Sequence, residues 1–212
     1  LAKQIGYTPR SMKSPVANIN VVVNEAVGPS VTMARGTKFT TFLDGQTYAF
    51  VNNADITVIP ADGVYTFQNV DIYEGTYLNF KYTVNTTDID QRFLIPNNNV
   101  DTETLTVKVQ NSISDSITNV YTLASGITGL DSTSKVYFLQ EVEDGRFEVS
   151  FGDGILGKKV DDGNIVILDY IVTNGDLANG ARNFALSGTI GGFANTTITT
   201  NSVAFDGNDV ET

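Results

Sequence analysis

Gly152, four further residues and then Gly157-Lys158 match the opening of a phosphate-binding P-loop, and the apolar run 165–169 ends in an acid that could act as its magnesium partner. Such a loop needs a hydroxyl after the lysine to hold the metal. It also needs a helix that starts there and turns its free N–H groups toward the phosphates. Lys159 stands where the hydroxyl should be, and Asp162-Gly163 follows within the first turn of the required helix. The spacing therefore predicts a glycine-rich connection between strands, not a nucleotide site. Carboxylates also gather at Glu141, Glu143, Asp144, Asp153, Asp161 and Asp162. Two readings stand. Hard cations take several oxygen ligands from loops, so a calcium site is conceivable, although the spacing does not fit an EF-hand. Most of these acids precede a glycine, where Asp supports a turn by bonding its own backbone, and turn chemistry is the favoured reading. Nothing supports a paired-carboxylate glycosidase.

Composition narrows the chemistry further. The 212 residues contain no cysteine and no histidine, which removes disulfides, thiolate metal sites, the commonest general base and every Ser-His or Cys-His nucleophile. No catalytic, cofactor-binding or metal-ligating residue is assigned. Asp and Glu outnumber Lys and Arg 24 to 13, for a net charge of -11. Nucleic acid and anionic membranes both need clustered cations, so neither is an expected partner. No apolar run has the length of a membrane span. The start is not that of a signal peptide, and Leu1 in place of Met suggests a fragment or a processed chain. Asn85-Thr86-Thr87 and Asn195-Thr196-Thr197 fit a glycosylation pattern but read as ordinary turn or strand residues.

The elements that must carry these groups read as strands throughout. Ala17, Ile19, Val21 and Val23 alternate with Asn18, Asn20 and Val22, and Leu105, Val107 and Val109 with Thr106, Lys108 and Gln110. Asp44-Gly45, Asp62-Gly63 and Asp144-Gly145 mark tight turns between such runs, the last read as a two-residue hairpin. The aromatic residues Tyr48, Phe50, Tyr65, Phe67, Tyr77 and Phe80 fall at alternating positions and are expected in the core. Ile165 to Tyr170 is apolar on nearly both faces, which places it inside a sheet. Residues 1–5 could end a helix closed by Gly6, 111–119 is a polar loop with room for one helical turn, 125–134 is a second loop, and 181–186 is a strand. No window sustains a 3.6-residue period. The expected class is all-β, an antiparallel sandwich or barrel-like architecture. Gly45, Gly145, Gly152, Gly154, Gly157 and Gly163 are the expected structural turn glycines.

The segment 1–9, ending Ile-Gly-Tyr-Thr-Pro, then 17–23, then Ala34-Arg35-Gly36-Thr37-Lys38-Phe39 and Asp44-Gly45-Gln46-Thr47-Tyr48-Ala49-Phe50, resembles the opening of the phage baseplate J-like family. Val149-Ser150-Phe151-Gly152-Asp153-Gly154-Ile155-Leu156-Gly157-Lys158-Lys159 is similar to the glycine-rich signature of its larger members, those of contractile-tailed phages. Thr173-Asn174-Gly175 with Ala178-Asn179-Gly180-Ala181 also fits, and the acidic run 206–212 is similar to the segment that leads into a helical C-terminal region in the family. The resemblance implies a structural, non-enzymatic virion protein of the tail baseplate, assembled in the host cytoplasm. It would dimerise, join neighbouring wedges into a ring around the tail tube and contact other baseplate wedge proteins. It also implies a nested layout. Residues 1–14 are a connector, 15–78 with 180–208 an outer β domain, 79–179 an inserted β domain, and 209–212 the start of a C-terminal region. The loops 96–99, 111–119 and 125–134 are the candidate contact loops, with Asn97, Asn98, Asn99, Ser112, Ser114, Asp115, Gly129 and Asp131 as candidate contact residues. The alternative function is a receptor- or carbohydrate-binding β-sandwich of a phage fibre or adhesin.

Overall fold

The computed structural model describes residues 10–210; the helical turn expected at 1–5 and the end of the acidic run lie outside them. The described residues form strands joined by turns and two short 3-10 turns, so the fold is all-β. They divide into two compact units, 12–77 with 171–210 (the flanking unit) and 78–170 with 10–11 (the central unit).

In the flanking unit, β1 (Val16–Val23) alternates half-buried and buried residues without a break. It lies between β6 (Tyr65–Glu74) and β15 (Thr196–Phe205), antiparallel to both, with Ile19 opposite Val70 on one side and Thr200 on the other. The sheet continues from β6 through β4 (Gln46–Asn52) and β3 (Lys38–Leu43) to β14 (Ala185–Ser187). Asp44 and Gly45 close the β3–β4 hairpin with φ of 50° and 86°, the left-handed pair that matches strand twist. A separate two-stranded ribbon of β2 (Val31–Met33) and β5 (Ile56–Val58) contributes Val31 and Met33 to the same core. Phe39, Phe50, Phe67, Ile19, Ile72 and Met33 are fully buried in one core. At the end of β6, Glu74 is 1% exposed. Its carboxylate accepts bonds from the Thr173 hydroxyl (2.7 Å), the Asn174 N–H (2.9 Å) and the Asn174 amide (2.6 Å). A buried carboxylate is tolerated only when its lone pairs are met in this way.

The central unit is a curled sheet ordered β7 (Thr76–Thr83), β13 (Ile165–Val172), β9 (Val100–Gln110), β10 (Thr118–Leu123), β11 (Val136–Glu141), β12 (Phe147–Phe151), β8 (Phe93–Leu94). Both β7 and β13 continue across the unit boundary. Side chains bring the two edge strands together. The Tyr82 hydroxyl on β7 donates to the Leu94 carbonyl on β8 (2.6 Å), and its ring stands edge-on to Phe93 at 5.6 Å. The sheet is thus closed into a near-barrel by a side chain where no backbone ladder closes it. The interior chain of rings runs on from Phe93 to Phe151 and Tyr121, at 5.6 and 5.4 Å. Burial pushes the phenols of Tyr82, Tyr121 and Tyr170 up from their ordinary pKa. β13 lies inside the sheet, as its two apolar faces require. Asp169 on it, 1% exposed, is held by Lys108 (3.0 Å) and Asn79 (2.5 Å).

Four sequence expectations are corrected. Asp144-Gly145 is not a two-residue hairpin, because β11 and β12 are joined by a 3-10 turn over Glu143–Gly145. Segment 111–117 forms bends without a helical turn, and β10 begins at Thr118. The strand expected over 181–186 is reduced to Ala185–Ser187. Phe80 is 39% exposed on the edge strand β7, its ring edge-on to Tyr82 at 5.0 Å. The expected antiparallel, barrel-like architecture holds, with one local exception: β10 and β11 run parallel through Thr122–Val136 and Leu123–Tyr137.

Candidate functional site

Strand direction sorts the loops of the central unit onto two ends. β9 runs antiparallel to β10, which is parallel to β11; β12 then runs back, antiparallel to β11 and β8. Val84 meets Asn164 while Asn79 meets Asp169, and Asn111 meets Asn164 while Lys108 meets Asp169, so β7 and β9 both run against β13. The connections 84–92, 111–117 and 152–164 consequently leave from one end of the sheet. The chain enters on β7 and leaves on β13 at the opposite end.

The glycine-rich connection 152–164 ties this loop end together. Asp162 Oδ1 accepts the N–H (2.9 Å) and hydroxyl (3.3 Å) of Thr86 in the first loop. The Asn164 amide donates to the Asn111 carbonyl in the second (2.8 Å). Gly157 N–H and Lys158 N–H donate to the Asp131 and Ser134 carbonyls (2.9 and 2.8 Å), at the end of the crossover that reaches β11. Gly152 and Gly157 cross in contact, and a side chain on Gly152 would run into the Gly157 carbonyl. The acids act as turn caps. Asp153 Oδ1 accepts the N–H groups of Ile155 (2.8 Å) and Leu156 (2.9 Å). Asp131 Oδ1 accepts from Thr133 and Ser134, and Asp115 accepts from the Asn111 amide (2.8 Å) and the Ile117 N–H (3.0 Å). These bonds hold each carboxyl below its ordinary pKa: chiefly the Leu156 N–H at Asp153, the Thr133 hydroxyl at Asp131 and the Asn111 amide at Asp115.

The residues singled out in the sequence do not converge on one centre. Glu141 and Glu143 sit at the end of β11, away from Asp153, Asp161 and Asp162 at the loop end. Among the described residues no group of three or more acids is placed to hold a metal ion. Asp169, the notional magnesium partner, is engaged by Lys108, and no helix follows Lys158. Of the turn glycines, Gly45, Gly145, Gly154, Gly157 and Gly163 have positive φ, while Gly152 is required by its close crossing instead. Ser112, Ser114, Asp115 and Asp131 belong to the loop end. Asn97, Asn98 and Asn99 lie at the opposite end, where Asn97 accepts the Tyr170 hydroxyl (2.7 Å). Gly129 lies in the crossover between β10 and β11, with φ of 82°. The sequence reading missed the tethers Thr86–Asp162 and Asn164–Asn111. The recurring Asp-Gly and Asn pairs were their only trace.

The geometry is that of an all-β module whose acids and glycines fix its loops in place. In comparisons with known proteins, residues 79–175 match the family described as bacteriophage baseplate wedge protein gp6, third domain. The chain is also 25% identical, over 208 residues, to the baseplate wedge protein gp6 of Enterobacteria phage T4. That alignment covers 89% of this chain and 30% of the relative, so the chain spans about a third of the relative's length. The resemblance read from the sequence is thereby shown: this chain is similar to phage baseplate wedge proteins along most of its length.

Proposed function

We propose that the protein is a structural component of a contractile phage tail baseplate, a wedge protein that dimerises, links neighbouring wedges into a ring around the tail tube and contacts other wedge proteins. The observation that carries this is the match of residues 79–175 to the third domain of the gp6 family, supported by the wider alignment. A closed ring needs one surface that pairs like with like and another that passes to the next unit. The nested layout of 15–78 with 180–208 around 79–179 is part of the same proposal. In this reading the protein performs no catalysis, needs no cofactor and resides in the virion after assembly in the host cytoplasm. The candidate contact loops are 96–99, 111–119 and 125–134. The test is assembly of the full-length protein with the wedge proteins of the same phage, followed by shortening each loop to a Gly-Ser link. Failure of the unaltered protein to enter wedges defeats the function. Normal assembly and infectivity of all three shortened variants defeats the loop assignment alone.

A further inference from the structure

The three connections at the loop end each lift apolar side chains into solvent. Ile89 is 93% exposed, Ile113 91%, Ile155 73%, Ile117 63% and Leu156 40%. Single exposed apolar residues need no explanation, but several gathered on loops at one end of a unit do. The loops are also held in place. Asp153 fixes the backbone under Ile155 and Leu156, Asp115 fixes it under Ile117, and Asp162 and Asn164 tether the neighbouring loops to the same connection. A surface ordered in advance loses little entropy on binding. Acids outnumber bases in these connections: Asp88, Asp90, Asp115, Asp153, Asp161 and Asp162 stand against Lys158 and Lys159, while Arg92 pairs with Glu148.

We propose that this loop end is a docking surface whose aliphatic tips enter an apolar depression with a basic rim on a different protein. Charge decides the occupant. A second copy would bring the same acidic rim, on a chain of net charge -11, against itself, whereas a cationic rim is attracted and steered. The inference rests on the baseplate reading only for the choice of probes.

The experiment titrates the full-length protein with each purified wedge protein of the same phage, by calorimetry at low and moderate salt. The variants are Ile155→Asp with Leu156→Asp, and separately Ile113→Asp. Ile59→Asp is the control, an equally exposed isoleucine (76%) in the flanking unit. The expected result is a wedge protein whose affinity falls about thirtyfold or more in the loop variants, falls with added salt, and is unchanged in the control. Unchanged affinity in both loop variants overturns the docking surface and leaves the baseplate reading standing. So does a self-association, seen by sedimentation, that the loop variants abolish. A loss of melting temperature in the variants without partner also overturns it, since the protein's own chain would then cover the tips. A full-length protein that binds no wedge protein at all overturns both.

Discussion

Asp153 shows how a single carboxylate can look like a ligand and act as a brace. Its oxygen takes two backbone N–H groups, and those bonds favour the ionised form. The folded carboxyl therefore holds its proton less readily than the unfolded one. Its contribution is in place above the ordinary carboxylate pKa of about 4 and is lost as pH falls through the lower folded value. The Ile155 and Leu156 amide resonances should accordingly titrate with a midpoint below that of a free aspartate; a midpoint at or above it would refute the brace. Glu74 is a carboxylate inside the protein. Glu74→Ala leaves the Thr173 hydroxyl and the Asn174 amide without their acceptor and should cost about 2–4 kcal/mol in denaturant unfolding. Glu74→Gln, which keeps one acceptor, should cost less.

Among the elements, the connection 152–164 allows a direct comparison between two glycines. Gly154 has φ of +91° but open space, its nearest neighbour being Lys159 Cβ at 3.8 Å. Gly152 has ordinary φ but no room, because the Gly157 backbone crosses it. Gly154→Ala should cost about 1 kcal/mol through backbone strain, and Gly152→Ala should cost more and loosen the tethers to Asp131 and Ser134. Thermal unfolding with hydrogen exchange at Gly157 and Lys158 would measure both. Elements of this kind show what the sequence could tell. The β3–β4 hairpin was legible because Asp44-Gly45 is a local signal with a local outcome. The 3-10 turn at Glu143–Gly145 was not, since the same dipeptide serves a longer connection when the flanking strands pair from Glu141 to Phe147. The bulge in β6, where Asn69 takes φ of 53° and its N–H bonds Asn20, leaves no glycine to betray it. The parallel pairing of β10 with β11 depends on a crossover, which no short window records. The exposed face of Phe80 was hidden for the same reason: alternation gives a face, and only the strand order makes that face an edge.

For the whole molecule, β7 and β13 are neighbouring strands, with Tyr77 the last flanking residue before the central unit and Ile171 the first after it. Removing 78–170 and joining those residues through an Asn-Gly turn should leave the flanking unit folded, with Phe39, Phe50 and Phe67 still buried. Loss of the β signal in circular dichroism, or of cooperative unfolding, would contradict this. The all-β class was readable from strand spacing, and the loop end was readable only in parts, because its tethers join residues as distant as Thr86 and Asp162. One feature of the flanking sheet also governs the order of events during synthesis. β1 lies between β6 and β15, with Val16 beside Phe205, so its final neighbour emerges from the ribosome only after the whole central unit. The central unit has all its strands by Val172 and can close first. A nascent chain halted at Asn195 should thus show protected amides in β9 and β13 while the side of β1 that awaits β15 still exchanges freely. Early protection along that side of β1 would show that the order is reversed.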